Sequence, residues 1–351
     1  MMSNVTVLIS NYTDYFGPFQ TGLFGTWLII IIIASIIGNM MVILVILRDS
    51  NMRAAKNGTN LFLFNLAISD MMVGICMAPV SLNTLIYEKW QFSQWFCSMN
   101  SFLNSVFLSL SIHTLMYISI HKYFSLKRHS NLDRTFISRK ICVLMIVAAW
   151  LWGIMLGVAA VSGLSKAVYS QKKLQCGPMY PYFNIPKDSI LFFANFTINL
   201  VLPIVIMGIT YKKIFTILHQ SAIFRRNSAS STEDIFSDDK RVIITLILVL
   251  GVFIVCWLPY VVYIFLALML EDKKDIPSYI NPLAYCSGFT NSICNPVIYA
   301  FRFKDFRKGY KQILQRSSCM STRDLRMIEL QESRRPSQNL ICVEKNRIIN
   351  K

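Results

Sequence analysis

Long apolar runs, interrupted by short polar segments, dominate the pattern along the chain. Runs of about 20 apolar residues, the length that crosses a bilayer as a helix, fall at Phe24 to Leu47, Leu61 to Ile86, Trp95 to Tyr123, Ile141 to Val161, Ile190 to Leu218, Val242 to Leu270 and Ile280 to Phe301. The pattern predicts an all-α membrane protein, a bundle of seven transmembrane helices. Pro79, Pro203, Pro259 and Pro296 lie inside these runs. In a spanning helix they read as kinks rather than ends, because neighbouring helices and water take up the freed carbonyls. The divisions expected are a tail over 1–23, the bundle over 24–301, a basic amphipathic membrane-surface helix over 302–315 and a disordered tail over 316–351.

Composition agrees: 54% of the 351 residues are apolar and 15% charged, against about 25% charged in a soluble domain. The net charge of +17 would suggest nucleic acid if it lay on a soluble surface. Its distribution says otherwise. With the N-terminus outside, the outer segments hold 7 of the 35 basic residues, and the inner loops and tail hold 28 against 11 acidic ones. The basic excess is therefore a topology signal with a secondary affinity for anionic lipid, and nucleic acid is not an expected partner. Met1 to Thr21 has no basic segment of the signal-peptide kind. On the outside, Asn4-Val5-Thr6 and Asn11-Tyr12-Thr13 are glycosylation acceptors.

An ionisable group deep in a span costs about 3 kcal/mol or more and points to function. Asp70 is the acid at mid-membrane depth. It is either a structural hydrogen-bonded carboxylate or a cation or proton site to which Ser111, Asn291 and Asn295 lend neutral oxygens. The four histidines form no metal or catalytic cluster, and Asp70 has no partner acid for hydrolysis, so no enzyme and no cofactor are expected beyond an allosteric sodium ion.

From about Phe24 to Gln315 the residues carry a resemblance. Gly38-Asn39, Leu66-Ala67-x-x-Asp70, Trp90-x-Phe92 before Cys97, Trp150, Pro203 with Tyr211, Phe253-x-x-Cys256-Trp257-x-Pro259, Asn295-Pro296-x-x-Tyr299 and Phe303-x-x-Phe306-Arg307 follow one another on the appropriate helices. In this order they resemble the rhodopsin-like (class A) G-protein-coupled receptors, loosely those for amines. The resemblance implies a plasma-membrane receptor with an extracellular N-terminus. It would pass binding of an extracellular ligand to a heterotrimeric G protein and arrestin through movement of the sixth helix. Cys97 and Cys176 are the two cysteines clearly on the oxidising side, and a disulfide is expected between them. Cys319 is a candidate for palmitoylation. Ser228 and Ser337, each after a pair of arginines, are candidates for phosphorylation.

Offsets from the matched motifs nominate a ligand site of Asn104, Asn195, Asn199, Trp257, Tyr260, Tyr285 and Phe289. Asn104 stands where amine receptors carry an aspartate. An amide hydrogen-bonds an ammonium but does not neutralise it, which favours a neutral hydrogen-bonding small molecule or a peptide end over a monoamine. The alternative is that these amides bridge helices. Phe289 takes the place of the retinal-binding lysine, which excludes an opsin.

At the inner end, His121-Lys122-Tyr123 replaces the family's Asp-Arg-Tyr. Lysine is a hydrated point charge where arginine is a rigid fork. Lys122 is expected to pair with Asp239 or Asp238 and to meet Tyr211 and Tyr299 less well than arginine would. Coupling is then altered, with raised basal signalling, weak G-protein engagement or a bias to arrestin, unless the change is neutral drift. A non-signalling scavenger or modulator of other receptors keeps the same fold. A transporter or channel using Asp70 would need internal repeats that the chain lacks.

Overall fold

A computed structural model describes residues 16–53, 58–129, 137–162, 167–169, 173–178, 193–226, 233–270 and 275–315. Among the described residues there are seven long helices: α1 (Pro18–Arg48), α2 (Gly58–Tyr87), α3 (Gln94–His129), α4 (Arg139–Val161), α5 (Phe193–Gln220, its helix continuing to Arg226), α6 (Glu233–Met269) and α7 (Ile280–Arg302). A single turn, Ser50–Arg53, follows α1. Between α4 and α5 two short strands, β1 (Ala167–Val168) and β2 (Gly177–Pro178), pair antiparallel. Residues 304–315 form a further helix, α8, in a separate unit that begins at Phe303. Asn4, Asn11, Ser228, Cys319 and Ser337 lie outside the described residues, as do residues 190–192 of the fifth predicted span.

Six of the helices are long and apolar enough to cross a membrane on composition alone. The seventh predicted span is diluted by Asn281, Thr290, Asn291, Ser292 and Asn295, all of them buried or half-buried. These polar groups face inward, and apolar ones face out: Ile33, Leu144, Leu151, Val255 and Phe265 are more than half exposed. That inversion of a soluble protein's distribution is what a lipid solvent selects.

The prolines are accommodated in two ways. Pro259 and Pro296 lie inside continuous helices. Pro79 and Pro203 each come just after a wide π-type turn, Val73–Met77 in α2 and Thr197–Val201 in α5. Such turns concentrate at functional sites. Close helix contacts rest on glycine. A methyl at Gly38 would stand 3.1 Å from Pro296, and one at Gly157 would stand 2.5 Å from the Phe102 ring. Small residues at these points let α1 approach α7 and α4 approach α3.

Candidate functional site

Midway along the bundle, Asp70 is fully buried. Its carboxylate accepts from Ser111 Oγ at 3.2 Å and from Asn295 Nδ2 at 2.7 Å, and its backbone carbonyl accepts from Ser35 Oγ at 2.7 Å. Asn39 Nδ2 donates to the carbonyls of Ser35 and Ser292, both at 2.9 Å. Nearby, Asn65 donates to Thr114 Oγ1 at 2.8 Å while its Oδ1 accepts from Trp150 Nε1 at 2.9 Å. Five helices are therefore joined by two hydrogen-bonded sets, one around Asp70 linking α1, α2, α3 and α7 and one around Asn65 linking α2, α3 and α4. Asn291 is buried one turn before Asn295 but makes no hydrogen bond to Asp70. Among the described residues no basic side chain pairs with Asp70, so its donors are all neutral.

Nearer the disulfide, a cavity of about 200 Å³ opens between α3, α5 and α6, with Leu156 of α4 and Tyr285 of α7 at its margins. Asn104, Asn195, Asn199, Trp257, Tyr260 and Tyr285 all line it. Phe289 does not: it is buried behind Tyr285, ring centroids 5.8 Å apart. The aromatic wall is continuous, with Trp257 edge-on to Tyr260 at 5.5 Å and Tyr260 edge-on to Tyr285 at 5.9 Å. Ser101, Ser105, Leu108 and Ile112 also line it. The helical spacing of these residues on the face of Asn104 was the signal that would have found them.

The three amides differ in what they leave available. Asn199 Oδ1 accepts from Ser109 Oγ at 3.0 Å and from Trp152 Nε1 at 2.9 Å, while its Nδ2 donates to Asn195. It is occupied in tying α3, α4 and α5 together. Asn104 Nδ2 donates to Asn100 O and to Gln175 Oε1, both at 3.0 Å, but its Oδ1 is buried and makes no hydrogen bond. Ser101 Oγ and Trp257 Nε1 are likewise buried and unbonded. An acceptor, a hydroxyl and a donor thus line one cavity, and among the described residues no acid or base other than tyrosine lines it.

Cys97 and Cys176 form the expected disulfide, Cα atoms 5.4 Å apart. It carries the segment 173–176 deep into the bundle, where all four residues are buried. Leu174 N donates to Asn281 Oδ1 at 3.0 Å, Leu174 O accepts from Thr84 Oγ1 at 2.6 Å, and Cys176 N donates to Asn100 Oδ1 at 3.2 Å.

At the opposite end His121 turns to α2: its Nδ1 lies 3.2 Å from Thr59 Oγ1 and its ring meets Phe62 edge-on at 5.9 Å. Lys213 Nζ of α5 sits 5.8 Å over the Tyr123 ring, an attraction between cation and π-face. Lys122 and Tyr211 are half-buried and Tyr299 is buried. Asp239 lies on α6, but its side chain is outside the described ones, so the pairing expected with Lys122 is not among the contacts seen. Arg302 Nε donates to Thr245 Oγ1 at 3.1 Å, joining α7 to α6. In the separate unit, Phe306 is buried between Phe303 and Tyr310 at 6.1 and 6.2 Å.

Residues 38–299 match the family described as 7 transmembrane receptor (rhodopsin family). The chain belongs to that family. It is a multi-pass membrane protein of the G-protein-coupled receptor class, whose members are receptors and not enzymes. Among the relatives, the Homo sapiens histamine H2 receptor is 28% identical over 293 residues, 82% of this chain and 77% of its own length. A Danio rerio melatonin receptor type 1A-A is 25% identical over 302 residues, 85% and 82% of the two chains. The Drosophila melanogaster octopamine receptor beta-1R is 24% identical over 311 residues, 81% and 60%. Squid rhodopsin superposes with a TM-score of 0.73 at 20% identity, over 89% of this chain and 91% of that one. That last likeness is one of fold.

Proposed function

We propose that this receptor responds to a neutral ligand that hydrogen-bonds as a donor to Asn104 Oδ1, with Ser101 Oγ and Trp257 Nε1 as further partners. One observation carries the reading: the cavity contains a buried, unbonded amide oxygen where an ammonium would need a carboxylate. Burying a cation without a counter-charge costs far more than one amide hydrogen bond returns. Histamine and octopamine, named by two of the relatives, are protonated amines in water, whereas melatonin, named by the third, is a neutral amide. The cavity chemistry sides with the third, whether the ligand is a small molecule or a peptide end.

The test uses matched pairs. Cells expressing the receptor are exposed to histamine and N-acetylhistamine, and to octopamine and its N-acetyl form, with second-messenger output recorded. The acetylated member of each pair is expected to be the more potent. Higher potency of both free amines would overturn the reading.

The mechanism is a ligand-shifted equilibrium between conformations. Contacts at Trp257 favour outward movement of α6 about Pro259, and a cleft opens near Lys122, Tyr211 and Tyr299 for a G protein or arrestin. The N-terminus lies outside the plasma membrane, with glycosylation at Asn4 and Asn11, and Cys319, Ser228 and Ser337 are modification sites in the cytosol. A sodium ion would take its negative ligand from Asp70, with Ser111 and Asn295 beside it and Asn291 one turn away. A second reading is favoured by His121, which binds Thr59 where the family's acid restrains the neighbouring cation: coupling is then biased, weak or constitutive. Basal G-protein and arrestin readouts side by side separate these, and His121→Asp with Lys122→Arg is expected to change both.

A further inference from the structure

The side chain of Gln175, the residue before the loop cysteine, is completely buried. Its Nε2 donates to Met77 O at 2.7 Å and to Ser81 Oγ, both on α2, and its Oε1 accepts from Asn104 Nδ2 at 3.0 Å. A primary amide has two N–H donors and an acceptor oxygen, and here both ends are engaged. On one side it is held by the disulfide to α3 and on the other by Leu174, which is bonded to Thr84 of α2 and Asn281 of α7. Leu174 and Gln175 together thus fill the wedge between α2, α3 and α7, Gln175 bonding α2 and α3 and Leu174 reaching α7. The cavity stops there: its lining includes the adjacent Cys176 and Gly177 but no residue of α2. A polar side chain this deep is stable only because its donors and its acceptor are paired.

We propose that Gln175 is a specificity-determining residue, a tethered plug that closes the α2–α3–α7 wedge and confines the ligand to the compartment between α3, α5 and α6. Its amide occupies the N–H face of Asn104, so the ligand meets only the oxygen. Ligands with a second arm directed toward α2 are excluded. The inference rests on that compartment being the ligand site, but its test does not use a ligand.

The experiment reads entry into the wedge with charged methanethiosulfonate reagents, one small and one bearing a benzyl group, on purified full-length receptor in detergent. A thiol introduced by Ser81→Cys lies behind the plug, and one introduced by Ser105→Cys lies in the open cavity as a reference. The parent receptor gives the background from its native thiols. With Gln175 intact, Ser81→Cys is expected to stay at background while Ser105→Cys reacts. Adding Gln175→Gly is expected to raise the Ser81→Cys rate at least about tenfold, since a protected site otherwise reacts only through local opening. The small reagent gains access first, and the Ser105→Cys rate stays as it was. Gln175→Asn, one methylene short of Met77 O, is expected to give an intermediate rate and serves if the glycine variant does not fold. A Ser81→Cys rate that is high with Gln175 present, or unmoved by either substitution, overturns the plug. Because no agonist enters the assay, a failure of the neutral-ligand reading leaves this result standing on its own.

Discussion

The two sides of the bundle are held together by different forces. On the α1–α2–α3–α7 side, hydrogen bonds cross between helices at Ser35, Asn39, Asp70, Ser111 and Asn295, and Gly38 brings α1 close to Pro296. On the α6 side, Tyr263, Ile264 and Ala267 pack with Ile276 and Ala284 in an apolar cluster, and a run of rings links Trp257 to Tyr285. Hydrogen bonds fix a register, because a buried donor that loses its acceptor has nowhere else to turn. Apolar contacts are non-directional and tolerate sliding. The difference separates a directional frame from a part held by non-directional packing, and under the proposed mechanism α6 is the element that a ligand at Trp257 would bias.

The strongest way to break this comparison is to remove a hydrogen-bonding hub inside the frame and, as a reference, one outside it between α3, α4 and α5. Asp70→Ala leaves Ser111 and Asn295 with unmet polar groups in the interior, a cost of about 3 kcal/mol at 1–3 kcal/mol per group. Asn199→Ala orphans two donors as well, Ser109 and Trp152, but Asn199 and Trp152 are only half-buried, so the smaller value of about 0.6 kcal/mol per bond applies and the cost is about 1 kcal/mol. Thermal unfolding in detergent is expected to show the larger drop in Tm for Asp70→Ala. If Asp70 holds the proposed sodium ion, replacing choline by sodium raises Tm, and that rise is expected to vanish in Asp70→Ala and to survive in Asn199→Ala. Equal drops would mean that the network around Asp70 is no stronger a frame than the contact between α3, α4 and α5.

Asn104→Asp sharpens the contrast at the cavity. The carboxylate supplies the missing counter-charge, and a charge-assisted bond of about 1.5–3 kcal/mol corresponds to a gain of roughly tenfold to a hundredfold for a protonated amine. Histamine and octopamine are expected to gain potency relative to their acetylated forms in a second-messenger assay. An unchanged potency ratio would remove Asn104 from the contact.

Much of this was legible from residues alone, and the exceptions have physical reasons. Period and length located the helices, and a helical register carries Asp70, Ser111 and Asn295 to one level once three helices pack. What one helix cannot reveal is who has already taken a polar group. Asn199 and Asn104 look alike in sequence, yet the first is consumed by Trp152 and Ser109 while the second keeps a free oxygen. Phe289 has the right face for the cavity but lies one layer behind Tyr285. The π-turns before Pro79 and Pro203 were hidden because a proline implies an irregularity without saying which kind. Gln175 was the least legible, since a loop has no periodicity and its depth is set by the disulfide at the next residue.

The smallest expected effect tests the far end of α6. Arg302 Nε donates to Thr245 Oγ1 in a chain whose α3 carries Lys122 in place of the family's arginine. Thr245→Val keeps the shape and removes the acceptor, and a hydrogen bond to a charged group is worth about 1.5–3 kcal/mol when buried, with the lower end fitting a half-buried arginine. If that bond favours the closed arrangement of α6, its loss moves the equilibrium toward the open one by up to about tenfold. Basal second-messenger output is expected to rise in Thr245→Val, while Thr245→Ser, which keeps the oxygen, stays at the parent level. A fall in Thr245→Val, or an equal change in both variants, would mean that α6 is restrained by its apolar packing alone and that the contact between Arg302 and Thr245 is incidental.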